Sequence, residues 1–143
     1  MTALRRDRLK AQLLRHEGIR TKPYEDSEGI LTIGVGRNLE DKGLSESEVM
    51  YLLNNDIDDA YMNCRRLIPG FSRMNGVRKG VMVNMMFNLG APRLMGFRKM
   101  MAALRIGDYE TASYEMLDSK WHRQVGERAR ELAKQMKEGV YND

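Results

Sequence analysis

Residues 45 to 68 constrain the fold of this chain more than any other stretch. Ser45 and Glu48 are spaced as a capping box, with Leu44 and Val49 placed as its hydrophobic staple. Val49, Leu53, Ile57, Ala60, Cys64, Leu67 and Ile68 then recur at helical spacing, and Pro69-Gly70 closes the run. This spacing predicts one helix over 45–68, about 35 Å long at ~1.5 Å per residue. In a chain of 143 residues such a helix spans the body and is suited to joining two lobes.

On the N-terminal side, a first helix is expected from about Ala3 to His16, with Gly18 as its C-cap glycine. Leu9 and Leu13 are four apart, and the next step along that face is Glu17. Glu17 therefore continues an apolar stripe at the negative end of the helix. Burial and the helix dipole both disfavour a charged carboxylate there, and such a position suits a general acid. The following PYEDSEGILTIGVG reads as a small hairpin, Tyr24–Asp26 against Ile30–Val35. Pairing Asp26 with Ile30 sets Tyr24 opposite Thr32 and puts Asp26 and Thr32 on one face.

The second half reads as nearly all helix. Asn75 is the expected N-cap of GVRKGVMVNMMFNLG, a central buried helix broken by Gly90 and Pro92. Shorter helices are expected at about Gly96–Ile106 and Asp108–Leu117, and a last one at about Glu127–Lys137. Met82, Met85 and Met86 read as core. Trp121 is expected to pack under the last helix with its N–H bonded. Cys64 lies on the apolar stripe of the long helix, as an inert buried thiol.

The composition, 42% hydrophobic and 31% charged, is that of a globular chain. A lone cysteine excludes an internal disulfide, and no Cys or His cluster has metal-ligand spacing, so neither metal nor cofactor is expected. The N-terminus is charged throughout, without the apolar h-region of a secretory signal. No run approaches the ~18 apolar residues of a membrane span. The net charge of +4 favours an anionic partner: nucleic acid, an envelope polymer or a membrane surface.

Taken singly, Glu17 reads as a solvated helix-end residue and Asp26 as a turn aspartate satisfying backbone donors. Thr32 in a strand needs no special account. Jointly they are the parts for cleaving a glycosidic bond: an acid for the leaving oxygen, a carboxylate, and a hydroxyl to hold water. They sit in HEGIRTKPYEDSEGILTIGVGR (His16–Arg37). This stretch resembles the signature of the phage-type lysozymes (endolysins), the muramidases of glycoside hydrolase family 24. That signature is Glu, eight residues, Asp, five residues, Thr, within E-G-x-R…Y-x-D…G…T-I-G-x-G. NMMFNLG (Asn84–Gly90), Gly96-Phe97 and SKWHRQVGERARE (Ser119–Glu131) match in order, so the resemblance covers essentially the whole chain.

The resemblance implies an α+β, mostly α, lysozyme-like fold with an active-site cleft between two lobes. A small β-containing lobe would cover about 18–45 and a connecting helix about 45–68. A helical lobe would cover about 69–143 and take in the N-terminal helix. It further implies that Glu17 is the general acid and that Asp26 stabilises charge or acts as base. Thr32 would position the attacking water, for inverting hydrolysis of the β-1,4 link between N-acetylmuramic acid and N-acetylglucosamine. Arg128 matches an arginine facing the glutamate, and Gly36, Phe87, Asn88 and Ser119 match substrate-contacting positions. Asn88 replaces a glutamine of some members, Arg37 stands where histidine is usual, and His16 where some members are acidic. The stretch from Arg37 to Ser45 is short, implying a trimmed small lobe.

The partner implied is peptidoglycan, reached from the cytoplasm of the bacterial host after a holin permeabilises the membrane. A monomer is expected. Two other functions fit parts of the sequence. A catalytically silent glycan-binding module is opposed by retention of all three signature residues. A basic nucleic-acid binder, with NGVRKG (Asn75–Gly80) opening a recognition helix, is opposed by the apolar character of that helix.

Overall fold

Helix dominates the computed structural model, which describes residues 3–141, and a small antiparallel sheet accompanies it. This is the mostly α member of the α+β class that the sequence predicts. The chain divides into two units, Met1–Tyr51 and Leu52–Asp143.

In the first unit, α1 runs Arg6–Glu17, starting later than expected and taking in Glu17 as its last residue. Gly18 ends it at φ +74°, and the Gly18 N–H donates to the Leu14 carbonyl. The apolar stripe is not buried: none of the α1 residues is, and Leu9, Leu13 and Glu17 are all exposed. The burial expected of Glu17 is thus corrected. Strongly helix-forming Arg, Lys, Leu, Ala and Gln residues hold α1 helical without a core contact.

Strand β1 is Arg20–Glu25, β2 Leu31–Gly34 and β3 Arg37–Asn38, ordered β1-β2-β3. Tyr24 pairs with Thr32 as predicted, and the Asp26 N–H donates to the Ile30 carbonyl at 2.9 Å. Pro23 lies within β1, not at its start, where the register shifts between Arg20 and Tyr24. An edge strand tolerates the missing N–H. β3 was not foreseen; it pairs Arg37 with Ile33 and Asn38 with Thr32.

Helix α2, Glu46–Leu67, begins on the predicted capping box: the Ser45 N–H donates to Glu48 Oε1 at 2.8 Å and the Glu48 N–H to Ser45 Oγ at 3.2 Å. Arg37 adds a two-pronged bond to the same carboxylate, Nη1 to Oε1 at 2.9 Å and Nη2 to Oε2 at 2.7 Å. The Arg37 bond, the largest influence, and the Ser45 donors hold the Glu48 carboxyl down at about 2, against 4.5 ordinarily. A depressed folded-state value stabilises above the unfolded one and is lost as pH falls through the folded one. The thermal-midpoint gap between wild type and Glu48→Gln should therefore stay level above about pH 4.5 and close toward pH 2. A gap that widened on acidification would contradict this.

The second unit holds the core. A short 3-10 turn, Phe71–Arg73, leads to α3, Gly76–Leu89. Then come α4 (Ala91–Met95), α5 (Arg98–Arg105), α6 (Tyr109–Leu117), α7 (Lys120–Val125) and α8 (Glu127–Glu138). The short α4 and α7 were not foreseen. Helix α6 packs on α5 and α8, and α3 packs on α8. Val81, Met82, Met85, Leu94, Met100, Leu104, Met116 and Met136 are fully enclosed, each contributing about 1.5–3 kcal/mol. Cys64 is enclosed too, and burial pushes its thiol up to about 12, well outside nucleophilic range.

Asn75 caps α3 as predicted, accepting from the Arg78 N–H, and its amide nitrogen donates to the Gly139 carbonyl. Arg78 Nε donates to the Met136 carbonyl and Nη2 to that of Lys137, closing the end of α8. The Arg78 guanidinium also stacks on the Tyr109 ring. In NGVRKG, therefore, the half-buried Arg78 guanidinium is committed to the end of α8 and to the Tyr109 ring, which takes it from the centre of a nucleic-acid reading face.

Candidate active site

Asp26 and Thr32 lie on the β1–turn–β2 segment of the first unit, and Glu17 ends the helix just before β1. Asp26 enters the turn to β2, and its Oδ1 accepts the Glu28 N–H at 2.8 Å and the Ile30 N–H at 2.9 Å. The turn role anticipated for a lone aspartate is real, but it occupies one oxygen. Oδ2 has no hydrogen-bond partner among the described residues. Thr32 is buried, 4% exposed, and its hydroxyl donates to the Ile30 carbonyl at 2.8 Å. The Ile30 peptide groups thus hold both side chains: its N–H binds Asp26, and its carbonyl receives the Asp26 N–H and the Thr32 hydroxyl. With its proton committed, Thr32 Oγ1 presents only lone pairs to anything that approaches.

Glu17 ends α1, and Gly36 follows β2 across the turn to β3. A methyl built on Gly36 would lie 3.0 Å from both Cδ and Oε2 of Glu17, so the Gly36 backbone lies against the catalytic-candidate carboxyl. Gly36 also sits at φ +69°, which disfavours a side chain. The structure therefore gives Gly36 a contact with Glu17, a role that spacing alone did not reveal.

The remaining expected residues belong to the second unit. Phe87 is 48% exposed on α3, and Asn88 beside it accepts the Trp121 Nε1–H at 2.8 Å. Trp121 is buried as predicted and meets the Phe97 ring edge-on, centroids 6.3 Å apart. The Asn88 amide nitrogen has no acceptor among the described residues, so it can donate outward once the ring has fixed its oxygen. Ser119 is the N-cap of α7: Oγ accepts the His122 N–H at 3.1 Å and donates to the Met116 carbonyl at 2.6 Å. Its donor is spent on the fold. Arg128 directs Nε and Nη2 to Asn84 Oδ1, at 3.0 and 2.7 Å. Asn84 as the arginine's partner went unnoticed in the sequence, though it opens the NMMFNLG segment one helical turn before Asn88.

A cavity of about 580 Å³, within the size range of small-molecule sites, opens beside Ser119 in the second unit. The Phe97 and Trp121 side chains line it, as do the cations Arg93, Arg98, Lys99 and Lys120 and the anions Glu115 and Asp118. Its charged lining is net positive. No group of His, Cys, Asp and Glu among the described residues is arranged to hold a metal ion.

Comparison with known proteins identifies a matching family. Residues 14–138 match the family model described as Phage lysozyme. The pre-baseplate central spike protein Gp5 of Enterobacteria phage T4 is 28% identical over 145 residues, covering 82% of this chain but 25% of its own length. The chain thus spans about a quarter of that protein. Probable T4-type lysozymes 1 and 2 of Dictyostelium discoideum are 23% and 22% identical, each over 94% of this chain and 96% of its own length. The match takes in Glu17, Asp26, Thr32 and Gly36 at one end and Arg128 at the other.

Proposed function

This chain belongs to the phage lysozyme family and is a lysozyme-type glycoside hydrolase, and on that premise we propose that it cleaves the β-1,4 bond between N-acetylmuramic acid and N-acetylglucosamine in peptidoglycan by inversion. The observation that carries this reading is the shared anchorage of Asp26 and Thr32 on Ile30. Both the second Asp26 oxygen and the lone pairs of the Thr32 hydroxyl are without a hydrogen-bond partner among the described residues, and in this reading they take the same water. Such a water donates one hydrogen to Thr32 Oγ1 and the other to Asp26 Oδ2, and turns its own lone pair toward the anomeric carbon. Asp26 then receives the proton released as the C–O bond forms, while Glu17 protonates the departing glycosidic oxygen. No covalent sugar–enzyme bond forms, so the product is the inverted anomer.

Asn88 and Phe87 suit glycan contacts: an oriented amide donor and an exposed ring face, respectively. The basic lining of the cavity suits the acidic groups of the wall polymer. No helix among the described residues is long and apolar enough to cross a membrane. We assign the protein to accumulation in the host cytoplasm, with a holin opening the way to the wall for host lysis, and to action as a monomer.

The test of mechanism is NMR of the first product formed from solubilised glycan strands. The α-anomer at the new reducing end, preceding mutarotation, is the expected result. A first-formed β-anomer would overturn inversion, and a 1,6-anhydro product would replace hydrolysis with transglycosylation.

A further inference from the structure

Arg37 makes three hydrogen bonds that no feature of the hydrolytic scheme uses. Nη1 reaches the Gly43 carbonyl at 3.0 Å and Glu48 Oε1 at 2.9 Å, and Nη2 reaches Glu48 Oε2 at 2.7 Å. Its neighbour in sequence is Gly36, whose backbone lies against the Glu17 carboxyl. The end of β2 and the turn to β3, residues 34–36, contain two glycines at positive φ, Gly34 and Gly36. Such a turn is intrinsically loose. The ladder beyond it pairs Ile33 with Arg37 and Thr32 with Asn38 and adds one bond, from the Leu39 N–H to the Leu31 carbonyl at 2.9 Å, too short to hold a turn firmly alone. The first turn of α2 is a firmer base, because Ser45 and Glu48 already cap each other there.

We propose that Arg37, clamped to Glu48 and Gly43, is a positioning residue that sets where Gly36 meets Glu17 and so where the acid's proton is held. The planar guanidinium matches a carboxylate with two parallel bonds, which fixes direction as well as distance; a lysine ammonium supplies neither. The clamp acts on the proton donor and touches no glycan. Misplacing a reacting group by about 1 Å can cost on the order of 10²-fold in rate. Loosening the turn should therefore lower kcat and leave KM nearly unchanged.

The inference rests on the assignment of Glu17 as the acid, and the two are separable. Steady-state kinetics on solubilised glycan strands are compared, at equal folded concentration by circular dichroism, for wild type, Glu17→Gln, Arg37→Met, Gly36→Ala and the Arg37→Met/Gly36→Ala double variant. Expected are a kcat about tenfold lower for Arg37→Met with KM within about twofold, and a double variant well short of the product of the two single losses. Arg37→Lys should fall in between, and it carries the same comparison should Arg37→Met not remain folded. Wild-type kcat in Arg37→Met alongside an inactive Glu17→Gln would overturn the clamp alone. So would a loss confined to KM, or strictly multiplicative losses with Gly36→Ala. An active Glu17→Gln would overturn the acid assignment beneath it.

Discussion

Glu17→Gln is expected to lower the clearing of permeabilised Gram-negative cells by on the order of 10³-fold or more while leaving the fold unchanged. Glutamine keeps the shape that Gly36 packs against, and the last turn of α1 has no buried contact to lose. What disappears is the transferable proton. An amide cannot give one to a departing sugar oxygen, so the whole contribution of acid catalysis is forfeited at a single atom. Turbidity loss at equal folded concentration measures it, with circular dichroism as the control. Undiminished clearing would end the assignment of Glu17.

Trp121→Ala should be the most damaging single change to the second unit. Trp121 is 3% exposed, packs edge-on against Phe97 and bonds to Asn88. Truncating a buried aromatic of this size costs about 3–5 kcal/mol, which lowers the thermal midpoint by roughly 10–20 °C in a domain of this size. Activity should fall as well, since Asn88 loses the partner that fixes its amide. Trp121→Phe separates the two effects: most of the packing stays while the Nε1–H is lost. A midpoint in Trp121→Ala within a few degrees of wild type would show that the ring is not part of the core.

Where a signal was local and chemical, the sequence carried it into the structure intact. The capping box at Ser45 and Glu48, the N-cap at Asn75 and the Tyr24–Thr32 register all follow from neighbours within a few residues. So does the turn role of Asp26. The misses are of two kinds. β3, α4 and α7 are too short to show a period, and Arg37-Asn38 has no strand-forming character of its own. The Leu9–Leu13–Glu17 stripe shows the opposite failure. Its period correctly gives a helix, but periodicity reports a face and not what, if anything, covers it. Relations across distance were invisible in the same way: Arg37 to Glu48, Gly36 to Glu17 and Arg128 to Asn84. Of the candidate site, spacing matched to a family named Glu17, Asp26 and Thr32, whereas their supporting contacts had no local signal.

The methionines of the second unit have a consequence for how this protein ages. Eight are buried: Met74, Met82, Met85, Met86, Met100, Met101, Met116 and Met136. Thioether sulfur is readily converted to sulfoxide, which is polar and has no place in such an interior. Glu17, Asp26 and Thr32 carry no oxidisable atom. Peroxide is therefore expected to act on this enzyme through the packing of its second unit, at a pace set by how often that unit opens. Damage of this kind is reversible by methionine sulfoxide reductases, so lost activity should be recoverable for as long as the opened chain escapes aggregation.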